Sequence, residues 1–95
     1  MKPTAILINT SRGGIIDEAA LADALRTGRL GGAALDVRAQ EPPTGDDPLA
    51  TLDNVLLTPH IAGLTAESQA RVCTTVADDV LRVLRGEQPL FSALN

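Results

Sequence analysis

Aromatic side chains are almost absent: the 95 residues contain one Phe, no Trp and no Tyr. A surface that holds nucleobases by stacking them on rings is thereby excluded. Cationic charge is thin as well. Eight Lys and Arg stand against twelve Asp and Glu, for a net charge of −4, and the cations are scattered singly. No basic stripe exists to neutralise phosphates, so nucleic acid is not an expected partner. The lone cysteine, Cys73, excludes a disulfide framework and a cysteine-based metal site. In its helical setting it reads as a small buried apolar residue. No apolar run approaches the roughly 18 residues that cross a bilayer, and no apolar leader opens the chain. A soluble, cytoplasmic protein with no membrane partner and no metal is expected.

What is present is aliphatic. Hydrophobic residues make up 44% of the chain, nearly all of them Ala, Leu, Val and Ile. Such side chains suit helices packed on a parallel sheet. The length suits one domain near the small end of the range that buries its own core. "AILIN" (Ala5 to Asn9) is a continuous apolar run, the pattern of a strand buried on both faces. "TSRGG" breaks it. Asp17 is a good helix N-cap, with Glu18 adding negative charge to the first turn. Leu21, Ala24 and Leu25 then recur at helical spacing until Gly28. "GAALDV" (Gly32 to Val37) reads as a second buried strand, completing a right-handed βαβ unit with parallel strands.

"RAQEPPTGDDP" has loop composition, and "VLLT" (Val55 to Thr58) is a third short strand that Pro59 ends. Thr65 is a plausible N-cap for a long helix reaching about Arg85. On it Cys73, Val76, Ala77, Val80, Leu81 and Leu84 form an apolar stripe, while Asp78, Asp79, Arg82 and Arg85 face away. Gly86 and Pro89 end that helix, and "LFSALN" trails off. Three parallel strands with helices amount to half of a doubly wound sheet.

In open α/β sheets, ligands bind beyond the carboxyl ends of the strands. The first strand delivers Asn9, Thr10, Ser11 and Arg12 to that edge. The second delivers Asp36, with Glu41 five residues on, and the third delivers Thr58 and His60. Each has a plain structural role open to it. Arg12 and Glu41 can be solvated loop charges, Asp36 can form a turn, and His60 can be structural. Their convergence on one rim is what points to chemistry.

"MKPTAILINTSRGGIIDEAALADAL", "GAALDV", "EPP" and "NVLLTPHIAGLT" together resemble the C-terminal part of the D-isomer-specific 2-hydroxyacid dehydrogenases. That family includes phosphoglycerate, hydroxypyruvate, D-lactate and formate dehydrogenases. The similarity runs in order along the whole chain, down to a final G-x-x-P. It implies an α/β fold, the second half of a Rossmann-type parallel sheet with a long C-terminal helix. By the same resemblance, residues 1–95 are a single partial dinucleotide-binding domain. The implied activity is hydride transfer between NAD or NADP and a small-molecule 2-hydroxy acid/2-keto acid pair.

The resemblance also implies roles. Arg12, in "NTSRG", matches the arginine that holds the substrate carboxylate and carbonyl oxygen, a bidentate task suited to guanidinium. His60, in "TPHIAG", matches the general acid/base, and Glu41 the carboxylate paired with it; a carboxylate beside imidazolium favours the charged form. Asp36, in "ALDV", matches the contact to the nicotinamide carboxamide. Thr10, Ser11 and Arg12, together with His60, Ile61, Ala62 and Gly63, match the lining of that end of the cofactor. Glutamate at Glu41 resembles the hydroxyacid members rather than formate dehydrogenases, which typically carry glutamine there.

The family pattern is incomplete here. No G-x-G-x-x-G occurs to seat a pyrophosphate at a helix N-terminus, and no second, substrate-binding domain is present. The chain is therefore expected to be a C-terminal portion, inactive alone. Association with an N-terminal portion, or homo-oligomerisation, is expected to cover its open strand edges. A non-catalytic half-domain serving as an interaction module, and a decayed remnant, remain the alternative readings.

Overall fold

In the computed structural model, which describes residues 1–91, each apolar run becomes a strand that stops where a polar residue appears. Strand β1 spans Ile6–Asn9, β2 Gly32–Leu35 and β3 Val55–Leu57. All pair in parallel, in the order β1-β2-β3, with Ile6 opposite Gly32 and Ala33 opposite Val55. Helix α1 spans Glu18–Arg26 and α2 spans Ala66–Leu84. The chain divides into two compact units, residues 1–62 and 63–95.

The first unit holds the sheet and α1. Asp17 caps α1 as its sequence position suggests, accepting a hydrogen bond from Ala20 N at 3.0 Å. At the other end Gly28 takes φ +69°, the left-handed conformation that ends a helix at little cost. Leu21, Ala22 and Leu25 of α1 bury against Ala33 and Leu35 of β2, joined by Leu30 and Leu49. Each buried leucine contributes about 1.5–3 kcal/mol relative to exposure.

This core covers one face of the sheet only. Leu7, Val55 and Leu57 pack toward it, whereas Ile6, Ile8 and Leu56 are 63–70% exposed on the other. The expectation that β1 is buried on both faces is therefore corrected for the described residues. A run that is apolar at every position serves two covers, and this unit supplies one.

β2 and β3 are shorter than "GAALDV" and "VLLT" suggest, because Asp36, Val37 and Thr58 leave the strand geometry. The ladder nevertheless reaches past them: Asp36 N donates to Asn9 O at 2.9 Å and Thr58 N to Leu35 O at 3.0 Å. The polar residues at the strand ends are thus pinned to the sheet's carboxyl edge. The 36–54 connection packs Leu49 into the core, 1% exposed, and contains a cis Glu41–Pro42 bond.

In the second unit α2 matches the expected span. Thr65 caps it, accepting from Ser68 N at 3.1 Å, and Gly86 at φ +79° follows its end. Asp79 accepts from the amides of Leu90 and Phe91 at 2.8 and 3.0 Å, which folds the following segment back on the helix. None of the α2 residues is buried, and Cys73 is exposed, correcting its reading as a buried residue. Helical periodicity sets which residues share a face but not whether the face is covered. Residues 92–95 of "LFSALN" lie outside the described residues. Among the described residues no helix is long and apolar enough to cross a membrane, and no cluster of His, Cys, Asp and Glu is arranged to hold a metal.

Candidate active site

The carboxyl edge of the sheet gathers the polar residues of all three strand ends. From β1, Asn9 is buried and organises the loop beyond it. Its Oδ1 accepts from Ser11 N and Ser11 Oγ at 3.1 and 2.9 Å, and its Nδ2 donates to Arg12 O at 2.9 Å. The loop then enters a 3₁₀ turn at Gly13–Ile15. Gly13 is forced by space: a Cβ there would lie 1.8 Å from Arg38 O, against backbone. Arg12 stays exposed, its Nη1 donating to Ser11 O at 2.7 Å. It has no carboxylate partner among the described residues.

From β2, Asp36 is buried and ties down the turn after β3. Its Oδ1 accepts from Thr58 Oγ1 at 2.6 Å and Ile61 N at 2.9 Å, and its Oδ2 from Ala62 N at 2.8 Å. The Thr58 hydroxyl bond, then the two amide bonds, hold this carboxyl below the usual aspartate range. Asp36 thus forms no local turn of its own at the strand end but braces, from across the sheet edge, the turn that carries His60.

His60 sits at φ +57°, a left-handed conformation uncommon for residues other than glycine, though His, like Asn and Asp, is enriched there. Its N–H donates to Thr58 O at 3.1 Å across Pro59. This backbone aims Nδ1 at Glu41 Oε2, 2.7 Å away, with the two side chains 51% and 37% exposed. A carboxylate can only accept, so Nδ1 carries the proton and Nε2 is the ring nitrogen left free. The other oxygen of Glu41, Oε1, accepts from Arg38 N at 2.8 Å. The His60 bond first, and the Arg38 amide next, hold the Glu41 carboxyl below the usual glutamate range.

The structure thus brings Arg12, Glu41 and His60 to one shallow hollow, walled by Gly13, Gly14 and Arg38. A neighbouring hollow is lined at this edge by Thr10, Asp36, Thr58, Ile61 and Ala62, and on the sheet itself by Ile8, Ala34, Leu35 and Leu56. Gly63 opens the second unit, where its carbonyl accepts from Gln69 Nε2 at 3.3 Å.

Sequence reading misses Arg38. Its guanidinium donates to Glu18 Oε1 and Oε2 at 3.1 and 2.9 Å, and to Asp47 Oδ2 and Oδ1 at 2.6 and 3.0 Å. Glu18 also accepts from Ala39 N at 2.7 Å. The Arg38 bonds draw both carboxyls down, and the two carboxylates draw the guanidinium further toward its charged form. Glu18 does stand in the first turn of α1, as its position suggests, but its side chain is engaged by Arg38. The partners lie 20 and 9 residues away along the chain, so no local spacing marks them.

A one-helix, three-strand parallel layer with its polar groups on the carboxyl edge defines the class: part of an α/β nucleotide-binding sheet. Residues 1–62 match the D-isomer specific 2-hydroxyacid dehydrogenase, NAD binding domain, and the chain belongs to that family. It is 47% identical over 95 residues to D-3-phosphoglycerate dehydrogenase of Archaeoglobus fulgidus, covering all of this chain and 18% of that protein. It is 49% identical over 89 residues to glyoxylate reductase of Korarchaeum cryptofilum, covering 94% of this chain and 27% of that one. Among solved structures, NADPH-dependent glyoxylate/hydroxypyruvate reductase of Sinorhizobium meliloti, in complex with NADP and malonate, superposes with a TM-score of 0.84. It is 34% identical, over 97% of this chain and 28% of that one. The chain therefore spans about a fifth to a quarter of the length of these relatives.

Proposed function

We propose that this chain is the C-terminal portion of one dinucleotide-binding domain, both units included, of an NAD(P)-dependent 2-hydroxyacid dehydrogenase. In it Arg12, Glu41 and His60 act on the substrate. The observation that carries the reading is the 2.7 Å His60–Glu41 pair sharing a hollow with Arg12, which has no carboxylate partner among the described residues. Glu41 fixes the ring through Nδ1, so that Nε2 is the nitrogen that gives a proton to the carbonyl oxygen of a 2-keto acid. In the oxidation direction the same nitrogen takes the proton from the hydroxyl. Arg12 offers a planar donor fork for the substrate carboxylate.

The donor set also suits the nicotinamide end of a cofactor. Thr10, Ile61 and Ala62 edge a hollow whose sheet side is the apolar surface of Ile8, Ala34 and Leu56, a surface suited to one face of a flat ring. Asp36 Oδ2 accepts one bond and keeps capacity for a carboxamide N–H. When bound, the nicotinamide supplies or accepts the hydride. The pyrophosphate and adenosine need groups that these 95 residues do not carry, so the isolated chain is inactive on this reading.

The test is His60→Ala in a dehydrogenase polypeptide that contains this segment, assayed for NAD(P)H-dependent reduction of 2-keto acids. A loss of about 10²- to 10⁴-fold in kcat is expected. Turnover within about threefold of the unsubstituted enzyme sinks the acid/base assignment. A second reading, a non-catalytic interaction module, is favoured by the exposed Ile6, Ile8 and Leu56 face. Size-exclusion chromatography of the 95-residue chain tests it, and a monomer at all concentrations counts against it.

A further inference from the structure

Arg38 stands where the segments of the site meet. Its side chain is only 10% exposed, unusual for a loop arginine, because Glu18 from the start of α1 and Asp47 from the long connection each take two of its N–H groups. Four charge-assisted bonds to two carboxylates leave the guanidinium a single arrangement. A further bond, from Ala39 N to Glu18, holds the next peptide to the same anchor. The Arg38 backbone is therefore immobilised from both sides.

That backbone is what the site leans on. Arg38 N–H takes one oxygen of Glu41, and so turns the other toward His60. Arg38 O and the peptide after it lie so close to Gly13 that no side chain fits between, which seats the turn following Arg12. None of the three side chains touches the guanidinium itself in a hydrogen bond.

We propose that Arg38 is a positioning residue for the Arg12, Glu41 and His60 constellation: clamped by Glu18 and Asp47, it fixes the two consecutive peptides on which Glu41 and the Gly13 turn are seated. This rests on the acid/base reading above. Displacements of about 1 Å in such a support can lower rates on the order of a hundredfold without touching the reacting atoms. Lysine keeps the charge but cannot bridge two carboxylates in the same plane.

The experiment pairs kinetics with a readout of geometry. In a dehydrogenase polypeptide containing this segment, Arg38→Met lowers kcat about tenfold or more while KM for the keto acid stays within about threefold, and Arg38→Lys recovers part of the loss. In the 95-residue chain, carbon-detected NMR follows the Glu41 carboxyl against pH. In Arg38→Met its midpoint rises toward the usual glutamate range, while the amide shifts of β1, β2 and β3 stay in place. Either readout unmoved overturns the proposal. So does loss of the folded amide dispersion in both variants, since that marks a stability residue rather than a positioning one. His60→Ala in the same polypeptide separates the two failures. If it retains turnover, the acid/base reading falls; if it abolishes turnover and Arg38→Met does not, only the positioning role falls.

Discussion

Gly13→Ala and Gly14→Ala, neighbours in one loop, are expected to behave very differently. At Gly13 an added methyl would lie 1.8 Å from Arg38 O, 1.9 Å from Arg38 C and 2.4 Å from Ala39 N. All three are main-chain atoms of the 38–39 peptide, whose N–H Glu18 holds while Glu41 holds the N–H of the peptide before it, so no side chain can swing aside. At Gly14 nothing lies within 4 Å of the same methyl. Neither glycine has a positive φ, so the contrast isolates space from backbone freedom. Overpacking in a well-packed site destabilises by about 1–3 kcal/mol, more where the surroundings cannot yield. Gly13→Ala therefore belongs at or above the upper end, about 3 kcal/mol, and Gly14→Ala within about 0.5 kcal/mol of the parent. Urea unfolding of the two variants against the parent chain measures the difference, and a shift of midpoint at constant slope reports stability. Equal losses in both would refute the close approach of the 10–14 loop to the Arg38 peptide, and with it the seating of Arg12.

Acid should destabilise the first unit, and the sign follows from the carboxyls. Glu18, Asp36, Glu41 and Asp47 all titrate below their ordinary values of 4.5 for Glu and 3.8 for Asp. Below those values the unfolded chain takes up protons first, so the stabilisation is complete above them and is lost as pH falls through the lowered folded values. Urea midpoints are expected to be flat from about pH 7 to 5.5 and to fall beneath that, more shallowly in Asp47→Asn; a midpoint rising on acidification refutes this. At His60 the left-handed backbone makes a different forecast. Both His60→Ala and His60→Gly lose the Glu41 bond, but glycine takes φ +57° without strain, so His60→Gly should be more stable than His60→Ala by about 1 kcal/mol. Equal unfolding midpoints would mean that the turn carries no strain.

Where each strand lies was legible because the signal is local. β1 ends at Asn9 as read, β2 and β3 stop two residues and one residue short of the expected Val37 and Thr58, and the caps Asp17 and Thr65 stand directly before their helices. Which face of the sheet is covered was not legible. Ile6 and Leu7 are equally apolar, and only the packing of α1 and Leu49 onto one side separates them. Cys73 was misplaced for the same reason: it is exposed, as are Val76, Val80, Leu81 and Leu84 of its stripe, and nothing in its own helix reports what covers it. The site divides along the same line. That strand ends converge on one edge follows from parallel topology, so Arg12, Asp36, Glu41 and His60 could be grouped before their contacts were seen. Their partners are another matter, since a charge is neutralised by whatever faces it, at any separation along the chain. Glu41 meets His60 across 19 residues and Arg38 meets Glu18 across 20. Glu18 had a sufficient local account as first-turn charge on α1, and Arg38 carried no local signal within its loop. Only the fold, by bringing the start of α1 under the end of β2, gives them to each other, and the same approach leaves Gly13 no room for a side chain. The support of the site is thus written in long-range pairs, whereas its position is written in where the strands stop.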